Sequence, residues 1–460
     1  MSRIQTLIQA QTNSNSKYIL YWMQQAQRVH YNQALDFAIS LANKSKLPLL
    51  VLFVLTPSYP LANRRHYYFM LEGLKEVQTT LQERQIPFVI RLGIPDQVVT
   101  SYLADCFHLV MDNGYTSIQR SWRKSLYQTI IEHVDSCSLT VVDTDLIIPI
   151  KVASNKAEYG AYTIRPKINR LLPEYLDYPN PEPYLIRTPL PFSSDVSLST
   201  LDELISTLPI DQTILPSAQS HGGYSEAKKR LEMFLTKQIH HYIEANDPSN
   251  DYNSKLSAYL HFGQISSLDI YHECLKHASS IPSLALESFL EQLVVRRELA
   301  FNFIFYTPHY DSLQAITEPW AIQTMEDHIN DKREYLYSIE EFKQANTHDI
   351  YWNACMKEMV LTGYMPNYMR MYWAKKIIEW TIDYQTAYEI IQTLNDSYFL
   401  DGRDANSYAG IAWCFGKHDR AWTNRPIFGK LRYMNQAGLL RKFDMDKYVS
   451  YVESLSKSLS

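Results

Sequence analysis

Five of the eight tryptophans of this chain fall between positions 352 and 422: Trp352, Trp373, Trp380, Trp413 and Trp422. Trp373 and Trp380 stand seven residues apart in a stretch of helical periodicity. That spacing puts them on one face, separated by about 10 Å of rise. Indoles so placed can relay an electron toward a buried redox centre, or simply fill a core with large rings. A second candidate is the polar run Ser254-Lys255-Leu256-Ser257 that leads into an apolar turn ending at Ser266. Its hydroxyls can donate to phosphate oxygens beside a helix start, or act as a plain cap. A third is Glu291, on the strongly apolar stretch Glu291–Leu299. There a carboxylate accepts a hydrogen bond from a ligand if it faces inward, and is an ordinary solvated charge if it does not. Asn395 follows a helical pattern, where it either caps the helix or offers donor and acceptor to a heterocycle. Asp401 can pair with a cation such as Arg370, an arrangement too costly in a core unless it serves function. Finally, 401–442 carries eight cations against three acids, interleaved with Trp413, Phe415, Trp422, Phe428 and Tyr433. Cations for phosphates beside rings for stacking suit an extruded base.

The elements that must position these residues differ along the chain. Residues 1–16 read as a tail. The stretch 17–150 alternates candidate strands (Tyr18–Met23, Leu49–Leu55, Pro87–Leu92, Leu109–Met111, Thr140–Ile148) with helical patterns (His30–Asn43, Arg64–Arg84, Asp96–Asp105, Ile118–His133). Helical-length crossovers predict a doubly wound parallel sheet, with room for a small ligand beyond the carboxyl ends of its strands. No GxGxxG follows any strand, so the NAD fingerprint is missing. Residues 151–224 form an interdomain linker, in which nine of the 21 prolines fall between Pro166 and Pro216. Proline density there predicts neither regular helix nor inner strand. From 225 to 460 helical periodicity takes over: Ser225–Ile243, Ser266–His277, Leu284–Tyr306, Ile350–Thr362, Tyr368–Trp380 and Tyr384–Leu394. The fold class is α/β followed by an all-α domain.

Composition bounds the function. With 46% hydrophobic and 20% charged residues the chain is globular, and its net charge of −5 means that any nucleic-acid surface must be a local patch. Five scattered cysteines without CxxC or Cys/His spacing support neither disulfides nor a metal site. The first 17 residues lack the apolar segment of a secretory signal, and the longest apolar run, Leu49–Leu55, is far short of a membrane helix. A reducing, cytoplasmic setting is expected.

Taken in order, several long segments resemble the class II cyclobutane pyrimidine dimer photolyases. They are Leu20–Gln24 with Gln27–Val29, then LSAYLHFGQIS, VVRRELAFNF, YWNACMKEMVLTGYM, YMRMYWAKKIIEW, LNDSYFLDGRD and AWCFGKHDRAW. The resemblance implies light-driven repair of pyrimidine dimers in DNA, FAD in the helical domain (active as the reduced anion), and an antenna of deazaflavin or folate type in the N-terminal domain. It implies that Tyr242, Ser254, Leu256 and Ser257 line the FAD phosphates and ribose. Asn395 would face the reactive flavin nitrogen, and Arg370 with Asp401 would form a salt bridge beside the isoalloxazine. Trp373, Trp352 and Trp380 would form the path that reduces the flavin, with Trp373 nearest. Glu291 and Trp413 would contact the flipped dimer, while Lys417, Arg420 and Arg425 would hold the phosphates around it.

The partner implied is damaged DNA, in nucleoid or nucleus, with no membrane and no obligate protein partner. Departures from the family are small. Gln292 follows Glu291 where two acids are common, so either position can take the substrate role. Ala405 and Ser407 stand for Pro and Gly, and Ala374 for Gly. A cryptochrome-like receptor would keep the flavin and tryptophans but often adds a C-terminal tail, whereas this chain stops soon after Lys442. A (6-4) photolyase would place histidines such as His261 or His418 at the lesion, and a nucleotide-binding protein without photochemistry would be colourless.

Overall fold

The computed structural model describes residues 3–10, 16–134 and 136–459. Its N-terminal part is a six-stranded sheet built from β1 (Ile4–Ile8), β2 (Tyr18–Met23), β3 (Leu49–Leu55), β4 (Phe88–Leu92), β5 (Cys106–Asp112) and β6 (Ser138–Val142), in the order β1-β6-β5-β2-β3-β4. The five strands β2–β6 are parallel, joined through α1 (Gln33–Ser45), α2 (Arg64–Glu83), α3 (Pro95–Thr100) and α4 (Ser117–His133). Every residue of β2 and β3 is buried, because helices cover both faces. Alternation then divides the core: Ile19, Tyr21, Leu49 and Val51 pack with α1 and α2, while Tyr18, Leu20, Leu50 and Leu52 pack on the opposite side.

Three expectations need correction. Residues 4–8 are not a tail but an antiparallel edge strand, Ile4 opposite Val142, so the sheet is mixed. The strand expected at Thr140–Ile148 ends at Val142, where Asp143, Thr144 and Asp145 begin a buried polar turn. The proline-rich stretch contains a regular helix, Ala161–Tyr175, with Pro166 and Pro173 inside it. Each proline forfeits one helical donor, and burial of Ala161, Ile164 and Ile168 offsets that loss. The irregular chain that follows straps the first domain. Leu49 N–H donates to the Tyr184 hydroxyl at 3.0 Å, Ile90 N–H to Ser194 Oγ at 3.0 Å and Leu92 N–H to Asp195 Oδ2 at 2.9 Å. The open edge of β4 is thereby satisfied without a seventh strand.

The C-terminal half is helical. The run expected at Leu284–Tyr306 is one continuous rod with a π-helical turn at Glu291–Arg296 between Ser283–Leu290 and Arg297–Tyr306. A π-turn shifts every side chain after it around the axis. The helix expected to stop at Leu394 continues to Tyr398, so Asn395 is a buried helical residue and not a terminal cap. Buried ties lock the halves together: Arg297 Nη2 meets Asp145 at 2.7 Å, and Arg28 Nη1 donates to the Gly263 carbonyl at 2.9 Å.

Candidate flavin and nucleic-acid site

The helical half encloses a cavity of about 340 Å³. Tyr242, Ser254, Leu256, Ser257, Arg370, Trp373, Asn395 and Asp401 all line it, although they come from five separate segments. Part of its wall is polar: Asn253, Ser254, Lys255 and Ser257 gather where the chain turns through Lys255, whose φ is +52°. On the same cavity Arg370 Nη2 spans both Asp401 oxygens at 3.0 and 3.1 Å, and the guanidinium lies 3.9 Å from the centre of the Phe399 ring. This pair is mostly buried, and ring contact on the cation lowers its desolvation penalty.

Asn395 is held by its own amide nitrogen, which donates to Asp396 Oδ1 at 2.8 Å and Ser407 Oγ at 2.5 Å. Its carbonyl oxygen is thus presented to the cavity it lines. The buried indole N–H of Trp373, on the cavity wall, has no partner. A side chain added at Gly410 would meet nothing within 4 Å, so this wall is left clear. Hydroxyls, an amide, a buried ion pair and an unbonded indole N–H around one cavity fit an anion that carries a flat polar heterocycle. FAD has that shape and donor set.

Behind Trp373 the ring system continues. The Trp352 indole N–H donates to the Trp373 carbonyl at 3.1 Å, and the Trp352 and Trp380 rings lie 5.9 Å apart, edge to face. Trp380 is not within the helix of Trp373 but caps its end, and the ring reaches Trp352 from there. All three indoles are buried.

Gln292 lines the cavity, and Glu291 beside it turns to Arg165, which grips it through Nε at 3.0 Å and Nη2 at 2.7 Å. Arg296 lies 3.5 Å from the same carboxylate. Trp413 is half-buried beside the cavity-lining Cys414. Of the three expected phosphate contacts, Arg420 and Arg425 are exposed. Lys417 is not a free cation, because its ammonium is 2.6 Å from Glu318.

The DNA photolyase family model matches residues 19–185. A deoxyribodipyrimidine photo-lyase of Methanothermobacter thermautotrophicus is 43% identical over 98% of this chain and 98% of its own length. The chain belongs to the DNA photolyase family. Photo-lyases of Arabidopsis thaliana (40% identical, 95% of this chain, 89% of that protein) and Potorous tridactylus (39%, 94% and 81%) are also similar. Among solved structures, a class III photolyase from Agrobacterium tumefaciens superposes with a TM-score of 0.73 at 18% identity, covering 96% of this chain and 87% of that one. A Synechocystis cryptochrome reaches 0.75 at 15% identity, with coverages of 96% and 89%. These likenesses establish the fold.

This photolyase chain also contains site residues that sequence reasoning passed over. Asn253, Arg296, Phe399, Asn406 and Ser407 line the main cavity, and only Ser407 had drawn notice, as a departure. A smaller cavity of about 100 Å³ lies at the carboxyl ends of β2 and β3, where a doubly wound sheet holds ligands. Met23, Gln24, Val54, Trp122 and Phe262 line it, with His66, whose basicity burial and Arg403 push well down.

Proposed function

We propose that this chain repairs cyclobutane pyrimidine dimers in DNA, using light and an FAD held in the 340 Å³ cavity. The observation that carries the reading is the junction at Trp373, which lines the cavity and is joined through its carbonyl to the Trp352–Trp380 ring pair. Fully reduced FAD, when bound, supplies the light-driven electron that opens the cyclobutane ring and then takes it back. The chain's own residues do the rest. Tyr242, Ser254, Leu256 and Ser257 hold the phosphate and ribose end. Arg370, Asp401 and Asn395 fix the heterocycle and balance its charge. Trp373, Trp352 and Trp380 carry electrons inward when the cofactor must be reduced.

Gln292 and Trp413 receive the extruded dimer, and Glu291 supports the rim through Arg165. Arg420 and Arg425 take the flanking phosphates. A dimer pairs poorly in the duplex, so the few kcal/mol needed to unstack it are partly remitted, which favours lesion over intact DNA. The curated relatives favour the cyclobutane lesion: four photo-lyases are 38–43% identical, against 24% for a (6-4) photolyase of Arabidopsis thaliana.

The smaller cavity is our candidate for an antenna, and an archaeal photolyase of this fold from Sulfolobus tokodaii (TM-score 0.67) was solved with two FAD molecules. No obligate protein partner enters this reading. Among the described residues no helix is long and apolar enough to cross a membrane. The test is incubation of flavin-loaded protein with dimer-containing DNA in light and in darkness, with the flavin spectrum recorded. Dimers should disappear in light alone, and equal loss in darkness would overturn the proposal.

A further inference from the structure

We propose that Lys375 and Arg432 are positioning residues that hold Trp413 and Trp422 in a column of alternating cations and rings, and that the proton on Lys375 is required for recognition of the dimer. The column runs from core to surface. Lys375 is wholly buried on the helix of Trp373, and its ammonium donates to the Cys414 carbonyl at 2.5 Å, at the end of the Ala405–Cys414 helix. The ammonium lies 5.8 Å from the centre of the Trp413 ring and 5.9 Å from that of Phe428. The Arg432 guanidinium is 5.0 Å from Trp413 and 4.2 Å from Trp422, and Arg420 follows at 5.0 Å from Trp422. Asp419 pins the outer part: it binds Arg432 at 2.9 and 3.1 Å and accepts the Trp422 indole N–H at 3.3 Å.

A buried lysine with no carboxylate partner is a poor way to stabilise a core, where methionine would pack without desolvating a charge. Its position accounts for it. A desolvated cation against indole is worth more than an exposed one, and the carbonyl end of a helix favours positive charge. The column fixes two large rings before DNA arrives, and rigid platforms lose less freedom on binding.

Only Lys375 changes charge here near neutral pH. Burial lowers its pKa to about 8. The groups facing it are Cys414, Asp419 and Arg432. Burial pushes the Cys414 thiol up to about 11. Burial would also raise Asp419, but hydrogen bonds from Arg432 and the Arg420 amide hold its carboxyl low. Because the folded lysine binds protons less well than the unfolded one, the destabilisation that Lys375 itself contributes fades as pH rises from about 8 toward 10.5. Recognition and the stability contribution of Lys375 therefore move in opposite directions, which a purely structural lysine would not produce.

The inference rests on the reading that Trp413 meets the dimer. The experiment uses FAD-loaded protein, duplexes with and without one dimer, and a range of pH 7.0 to 9.5 on the order of the lysine titration. Wild type should lose about tenfold in its preference for the dimer duplex across that range, while the Tm gap between wild type and Lys375→Met narrows. Lys375→Met should show the reduced preference at every pH, with Tm no lower than wild type. Arg432→Gln should reduce the preference without altering the shape of the pH profile. A flat wild-type profile, or full preference at pH 7 in Lys375→Met, overturns the role of Lys375. Full preference in Trp413→Ala overturns the platform reading itself, and this inference with it.

Discussion

Asp401→Asn keeps the size of the side chain and removes the charge that Arg370 faces across 3.0 Å. The consequence can be worked from the surroundings. Stripping one partner from a fully buried pair costs about 3–5 kcal/mol. Here 23% of the Arg370 side chain and 11% of the Asp401 side chain remain exposed, and the guanidinium keeps the Met365 carbonyl at 3.1 Å and the Phe399 ring. Those residual contacts reduce the expected loss to about 2 kcal/mol of folding stability. A similar loss in the bound state would weaken flavin affinity about 30-fold. Chemical denaturation and equilibrium dialysis against FAD, on Asp401→Asn, Arg370→Met and the double variant, measure both quantities. The cycle should return a coupling of at least about 1 kcal/mol. Single variants within about 0.5 kcal/mol of wild type that retain flavin fully would refute the assignment of this pair to the flavin site.

Trp373→Phe should slow photoreduction of oxidised flavin severely and leave repair by chemically reduced protein nearly intact; transient absorption and dimer counting separate the two. Arg420→Ala and Arg425→Ala should each weaken DNA binding and lower the salt slope by about one, whereas Lys417→Ala, already neutralised by Glu318 at 2.6 Å, should change the slope little in titrations at several salt concentrations. Burial raises Glu298 to about 8, so the folded state keeps a proton that the unfolded chain releases, and stability declines as pH climbs through that window. Glu298→Gln should remove the decline and gain about 3–4 kcal/mol at pH 8 relative to pH 5, read from denaturation midpoints.

Legibility followed burial and local pattern. The bounds of β2 and β3 could be read to the residue, because strands covered on both faces are continuous apolar runs. Strand β1 was missed because an edge strand of five half-polar residues carries no such signal. The helix of Pro166 and Pro173 was missed because tertiary burial overrode a local preference. Eight residues expected at the flavin do line one cavity, and what pointed to them was the family resemblance, since residue pattern alone favoured plain caps and core packing. The π-turn at Glu291–Arg296 leaves no trace in helical periodicity, and sequence alone could not choose between Glu291 and Gln292 as the residue that lines the cavity. Likewise Lys417 and Glu318 are 99 positions apart, and no local pattern announces their pairing.

The central claim is that reduced flavin in this cavity splits dimers by a loan of one electron. Flash counting tests it most directly: chemically reduced, FAD-loaded protein is mixed with dimer-containing DNA in darkness and given single light pulses. Each pulse should remove at most one dimer per flavin, none should vanish between pulses, and the flavin should stay reduced throughout. Flavin that ends oxidised in proportion to the dimers removed, or dimers lost between pulses, would contradict the account.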